Sequence, residues 1–188
     1  TSPNVEASNL TVTGNIFIGS LAPVAFVGCV DTVVANNTII DPDNWIFRIL
    51  QETVSSGGYE FLPSGNNRFE NNLVYFSRNR ISTYVNIGPN TAADTFHFSN
   101  NLWYAHDNPG ASNPTLPVAE NDGVYGVDPH FFDGLSGDYR IGFDSPAAAS
   151  GHCPALNESD YYGRCFRFPP SIGAVAFYGS CAGDVQPD

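Results

Sequence analysis

The sequence predicts an all-β strand solenoid of about three to four rungs, closed by an irregular C-terminal cap. Three observations carry that prediction. Residues 12–18, 34–40, 69–75 and 96–104 resemble one another: each sets Gly-Asn or Asn-Asn between two apolar runs. Internal repetition of this kind is settled before anything else, because missing it misassigns the whole fold. The second residues of these pairs, Asn15, Asn37, Asn72 and Asn101, follow one another at intervals of 22, 35 and 29 residues, and the shortest interval suits one circuit of a three-sided strand coil. Pro23, Trp45 and Arg80 each open an apolar run eight residues after a marker asparagine. That shared offset ties two features of a rung together, which paired hairpins of a β-sandwich have no reason to do.

In the first rung, Leu10, Val12, Ile16 and Ile18 alternate with the period of a strand. The second adds the apolar run 23–30 and then 33–40, ending in the turn-forming Asp41-Pro42-Asp43-Asn44. The third is longer, and its polar, Gly-containing stretch 52–58 is read as an inserted bulge. The fourth carries its insertion at 88–94. Corners of stacked coils lie above one another, and a tight corner asks for a left-handed backbone, which Asn tolerates. Stacked amides can also hydrogen-bond along the stack. Asn15, Asn37, Asn72 and Asn101 are therefore assigned to corners. Two inward columns are expected: Ile16, Thr38, Leu73 and Leu102 just after the markers, and Val24, Ile46 and Ile81 nine residues after, failing at Gly110. The expected plan is one domain over 1–188, with regular rungs over 8–105, a long loop over 106–125 and a cap and tail over 126–188. A loop this long serves a function or covers something.

Composition narrows the partners. The 188 residues carry a net charge of −12. All seven basic residues are arginine, and lysine is absent. Nucleic acid is excluded as a partner on this balance. No apolar run reaches membrane-spanning length. Methionine is absent, so Thr1 is read as a processed or truncated start. Cys29, Cys153, Cys165 and Cys181 allow three pairings, and Cys153–Cys165, which bracket a short polar loop, is the favoured one. No CxxC or His-x-His spacing points to a transition metal. The acidic loops are of a kind that can hold Ca²⁺, but without an Asp-x-Asp-x-Asp loop no residue is assigned to it. No cofactor is expected.

The asparagine-centred repeats continue into Asp128-Pro129, Phe131, Asp138-Tyr139-Arg140-Ile141, Ser145-Pro146-Ala147, Gly151, Asp160, Gly163 and Ile172-Gly173-Ala174. Together these resemble the C-terminal portion of secreted bacterial right-handed parallel β-helix proteins, a group similar to the pectate-lyase-like superfamily. The resemblance spans about residues 8–178. It implies a right-handed parallel β-helix and an extracellular or cell-surface location. It does not imply one activity, since the group includes lyases, glycoside hydrolases, epimerases and adhesins. In its lyases a basic side chain abstracts a proton and a cation or Arg neutralises a uronate carboxylate. Arg is normally protonated and serves better as a clamp than as a base.

Arg48, Arg78, Arg80, Tyr84 and His106 are the candidate polysaccharide-binding residues, His106 being the best acid/base candidate of the four histidines. No catalytic set is assigned. The expected function is an extracellular structural, adhesive or polysaccharide-binding module, self-associating end to end through an uncovered first rung near residues 10–18. The alternative is part of a polysaccharide lyase or glycoside hydrolase. Fold analogy favours the enzyme, but fold does not fix function.

Overall fold

Side chains of three parallel sheets meet in one apolar core, and the chain visits the sheets in turn. The computed structural model describes residues 4–152, 159–166 and 168–177. A first pass lays down β1 (Ala7–Ser8), β2 (Thr11–Thr13), β3 (Ile16–Ile18) and β4 (Val24–Val27). A second lays down β5 (Cys29–Val30), β6 (Val33–Ala35), β7 (Thr38–Ile40) and β8 (Phe47–Leu50). The hairpin β9 (Ser55–Ser56) and β10 (Tyr59–Glu60) occupies the expected bulge, and a third pass follows with β11 (Arg68–Glu70), β12 (Leu73–Phe76) and β13 (Val85–Ile87). The fourth contributes β14 (His97–Ser99) and β15 (Leu102–Ala105), after which β16 (Val124–Tyr125) adds a short fifth strand to one sheet. The sheet orders are β2-β6-β11-β14, β3-β7-β12-β15-β16 and β4-β8-β13, all parallel.

Asn37, Asn72 and Asn101 are buried, Asn15 is half-buried, and the four form a continuous ladder. The backbone N–H and the Nδ2 of Asn15 both donate to Asn37 Oδ1, at 3.1 and 3.0 Å. Asn37 does the same to Asn72 Oδ1 at 3.0 and 3.1 Å, and Asn72 to Asn101 Oδ1 at 2.8 and 3.1 Å. Each amide also reaches back to a carbonyl of the level before: Asn37 to Val12, Asn72 to Val34, Asn101 to Phe69. The left-handed residue is the one before each marker. Gly14, Asn36, Asn71 and Asn100 have φ of 70, 50, 54 and 56°. The corner is thus a division of labour: the first residue bends the chain and the second stitches the levels. Glu120 closes the ladder. Its Oε1 accepts from Asn101 N and Nδ2 at 3.0 and 2.6 Å, and its Oε2 from Trp103 Nε1 and Tyr125 Oη at 2.8 and 2.9 Å. Hydrogen bonding to Glu120 and burial push the Tyr125 phenol far up, burial being the larger cause.

One expected column faces the other way. Leu73 and Leu102 lie on the outer side of their sheet, in a second apolar cluster with Ile141, Ala147 and Ile172. The core instead takes the next residues: Phe17, Ile39, Val74, Trp103 and Tyr125, joined by Phe26, Phe47, Phe69 and Phe98. Alternation fixes which residues share a face but not which face is inside, and here both faces are apolar because the C-terminal segment packs on the outer one. Val24, Ile46 and Ile81 do enter the core, yet they are not one register row. Val24 pairs with Phe47 and Phe47 with Val85. Residues 78–80 form a turn, so the third strand starts later than the eight-residue offset predicts.

The long loop covers the far end of the core, where Leu116 and Val118 pack against it. Beyond it, β17 (Phe131–Asp133) and β18 (Asp138–Ile141) pair antiparallel. The C-terminal residues tie down the left-handed column. Asn36 Nδ2 donates to Ser171 O, Asn71 exchanges bonds with His152, and Asn100 Nδ2 donates to Ser150 O. Gly173, at φ +96°, sits so close that an added Cβ would lie 2.9 Å from Leu73 Cβ and from Thr38 Oγ1. Asp160 is buried and accepts from the backbone of Tyr162, Arg164 and Ala176. Cys29 is a free thiol buried in the core, packed near Ser64 Oγ at 3.9 Å, which removes it from the disulfide candidates. Cys165 is disulfide-bonded. Cys153 and Cys181 lie outside the described residues.

Replacing Asn72 by Ala takes the acceptor from the buried N–H of Asn37, whose Nδ2 keeps Val12 O and Ala35 O, and removes the amide that reaches Val34 O; a buried donor left unpaired costs roughly 1–3 kcal/mol. Asn72→Ala should therefore cost about 2 kcal/mol or more in urea unfolding. Asn15→Ala, at the partly exposed end of the ladder, should cost under about 1 kcal/mol. Glu120→Gln sets an amide donor against donors and should cost about 1–2 kcal/mol in the same measurement.

Candidate functional site

A cleft of about 440 Å³ opens on the outer side of the five-stranded sheet, lined by Ile18, Ile40, Asp41, Tyr75, Arg80 and His106 and by Gly134, Leu135 and Tyr139. The sequence builds it from neighbouring points, within two residues of register, on successive levels. Asp41 follows the last residue of β7, Tyr75 lies within β12, and His106 follows β15. Strand stacking brings these together across 65 residues of chain. The β17–β18 hairpin, with the 3-10 turn Gly134–Ser136 at its tip, supplies the opposite wall.

Asp41 sits at the centre, with a left-handed φ of 45° and its N–H bonded to Tyr75 O at 2.9 Å. A non-Gly residue there is uncommon and carries a small backbone cost. His106 Nε2 donates to Asp41 Oδ1 at 2.8 Å, and His106 stacks on Tyr75 with ring centroids 4.7 Å apart and planes 20° apart. Arg80 donates through Nη2 to Asp43 Oδ1, while its Nη1 lies 3.9 Å from Asp41 Oδ2. Tyr75 also meets Tyr104 and Phe131, and Phe131 meets Tyr139, giving a run of rings beside the charged group.

Burial first, then the charges of Asp128 and Asp41, push the Tyr75 phenol above its ordinary value. Tyr104 is raised by burial and then by the charge of Asp128 and its hydrogen bond to it. Tyr139 is raised by burial and by Asp41. All three phenols therefore stay protonated at neutral pH and are available as donors.

Asp107 fixes the turn that presents Arg80. Its carboxylate accepts from Ser77 Oγ at 2.7 Å and from the backbone N–H of Arg78 and Asn79 at 2.6 and 3.1 Å. Partial burial opposes ionisation, but these hydrogen bonds outweigh it and lower Asp107 to about 2.

Of the five candidate binding residues, the structure brings Arg80 and His106 into the cleft and leaves three elsewhere. Arg48 lies over the Trp45 ring at 4.6 Å and donates to Asn86 Oδ1. Arg78 lies over Tyr84 at 5.1 Å and donates to Ile81 O, and Tyr84 Oη donates to Ala111 O. All three are held in contacts within the chain, away from the cleft. Asp41, Tyr75 and Tyr139 are cleft residues that the sequence did not single out, and Asp43, outside the lining, is the partner of Arg80. Asp41 was hidden by its turn chemistry, although it stands four residues after a marker, as Gly19 does in the level before. Among the described residues, no group of three or more His, Cys, Asp or Glu could hold a metal ion, and no helix is long and apolar enough to cross a membrane. No protein-family model matches the chain, and no curated protein matches it.

The folded-state value of Asp107 is depressed, so its contribution to stability is present in full above the unfolded value of about 4 and is lost as pH falls through about 2. Asp107→Asn should be less stable than the parent at pH 7. It should also lose less stability between about pH 4 and pH 2 than the parent does, as read from urea midpoints across that range.

Proposed function

We propose that the chain is a right-handed parallel β-helix acting outside the cell as a polysaccharide-binding module, with the glycan lying in the cleft between the five-stranded sheet and the β17–β18 hairpin. The observation that carries this reading is the cleft itself. Its volume lies in the range of ligand sites, and it combines aromatic rings with convergent polar groups. Sugar rings present C–H faces that stack on aromatic side chains and hydroxyls that bond to carboxylate, imidazole and guanidinium. Tyr75, Tyr139, Asp41, His106 and Arg80 offer both kinds of contact. The three parallel sheets, each joined in register from level to level, support the β-helix reading of the fold.

End-to-end filament formation has less support than binding. In the ladder each asparagine donates to the oxygen of the next level, so Asn15 Oδ1 would need a donor from a preceding level. The opposite end of the ladder presents the Glu120 carboxylate, which has no proton to give and whose oxygens already accept four bonds. Two copies stacked head to tail would bring acceptor to acceptor. Among the described residues, the Asp41–His106 pair favours the enzymatic alternative, as a general acid/base couple for lyase or hydrolase chemistry.

Retention on a panel of immobilised polysaccharides tests the reading. The protein should bind at least one, and His106→Ala and Tyr75→Ala should each weaken calorimetric binding about tenfold or more while remaining folded by circular dichroism. Binding untouched by either substitution would place the glycan elsewhere. Release of unsaturated uronate or of reducing ends during the same incubations would replace the binding reading with the enzymatic one.

A further inference from the structure

Resting on the glycan-binding reading, we propose that the cleft accepts an uncharged glycan segment in preference to a uronate chain, and that Asp43 sets this preference by occupying Arg80. A uronate carboxylate is held best by a guanidinium with two free parallel N–H donors. Arg80 is the one arginine among the described lining residues, and lysine is absent from the chain. Its two terminal nitrogens are directed at carboxylates already in place, Nη2 bonded to Asp43 and Nη1 facing Asp41. The backbone of Asp43 is anchored from the level before by its N–H to Ser20 O at 2.8 Å, so the stacking places its carboxylate beside Arg80. Arg48 and Arg78 do not line the cleft and make their hydrogen bonds outside it.

Two carboxylates thus face one guanidinium at the site, with Asp128 close enough to act on Tyr75 and Tyr104. A uronate entering there would displace Asp43 and sit beside the Asp41 carboxylate as a like charge. A neutral sugar meets neither cost. Its hydroxyls can donate to Asp41 and accept from the phenol of Tyr75, and its ring face can stack.

Calorimetric titration with a neutral oligosaccharide and a uronate oligosaccharide of equal length tests this, at low salt and at about 0.5 M salt, where the overall negative charge of the protein is screened. The neutral ligand should bind at least about tenfold more tightly in both conditions. Asp43→Asn frees the guanidinium and should strengthen uronate binding about fivefold, the scale of an exposed ion pair, while changing neutral binding less than about twofold. Asp94→Asn removes the same charge from an exposed turn outside the cleft and should leave both ligands unchanged. Uronate binding equal to neutral binding at high salt, or uronate binding indifferent to Asp43→Asn, would overturn the preference and leave glycan binding standing. If neither ligand binds, this inference and the glycan-binding reading both fall.

Discussion

The asparagine ladder is the constraint on which the rest of the structure depends. Each level must place one amide directly beneath the next, because Nδ2 and the backbone N–H converge on a single oxygen about 3 Å away. The buried backbone N–H of Asn37 and of Asn72 each finds its partner in the oxygen of the next level, and leaving one unpaired costs more than a made bond contributes. The ladder therefore fixes the register of two sheets at once. β6 runs into the corner and β7 runs out of it, and the same holds for β11 and β12. Every aromatic contact in the core, such as Phe47 on Phe69 at 4.9 Å and Phe69 on Trp103 at 5.8 Å, presupposes that register.

The five-stranded sheet is covered twice. Its inner face supplies Ile39, Val74 and Trp103 to the core, and its outer face supplies Leu73 and Leu102 to the cluster beneath the C-terminal segment. The same covering continues past Tyr75, where the packed interface opens into the cleft. The site is thus the margin of an apolar interface: Phe131 and Tyr139 belong to the cover, Tyr75 and Tyr104 to the sheet, and the charged residues stand at the solvent side where the cover ends.

The sequence made the repeat legible because a ladder needs the same residue at the same point in each level. It was less informative wherever the structure substitutes a different chemistry for the same role. Glu120 continues the ladder without being asparagine, and no local pattern in the loop distinguishes its carboxylate from a solvated one. The inside and outside of the second sheet were exchanged because Ile16, Thr38, Leu73 and Leu102 form an apolar column as convincing as the true inner one, and the segment that covers it carries no repeat. In the cleft, Arg80 and His106 were visible as polar residues near corners. Asp41 was not, because Asp-Pro-Asp-Asn is fully explained as a turn and its partner lies 65 residues away.

Chain length varies in this fold only where the ladder permits. The extra residues between Asn37 and Asn72, and between Asn72 and Asn101, all lie between the exit from the five-stranded sheet and the entry into the next corner, including the hairpin of β9 and β10. None falls between the strands that flank an asparagine. A segment rewritten between Glu52 and Glu60 would thus leave Asp41, Tyr75 and His106 in their places, since their mutual positions are set by how many strands separate them and not by how much chain does. The molecule holds its site on a ruler graduated in strand spacings, and leaves the other corners free to change.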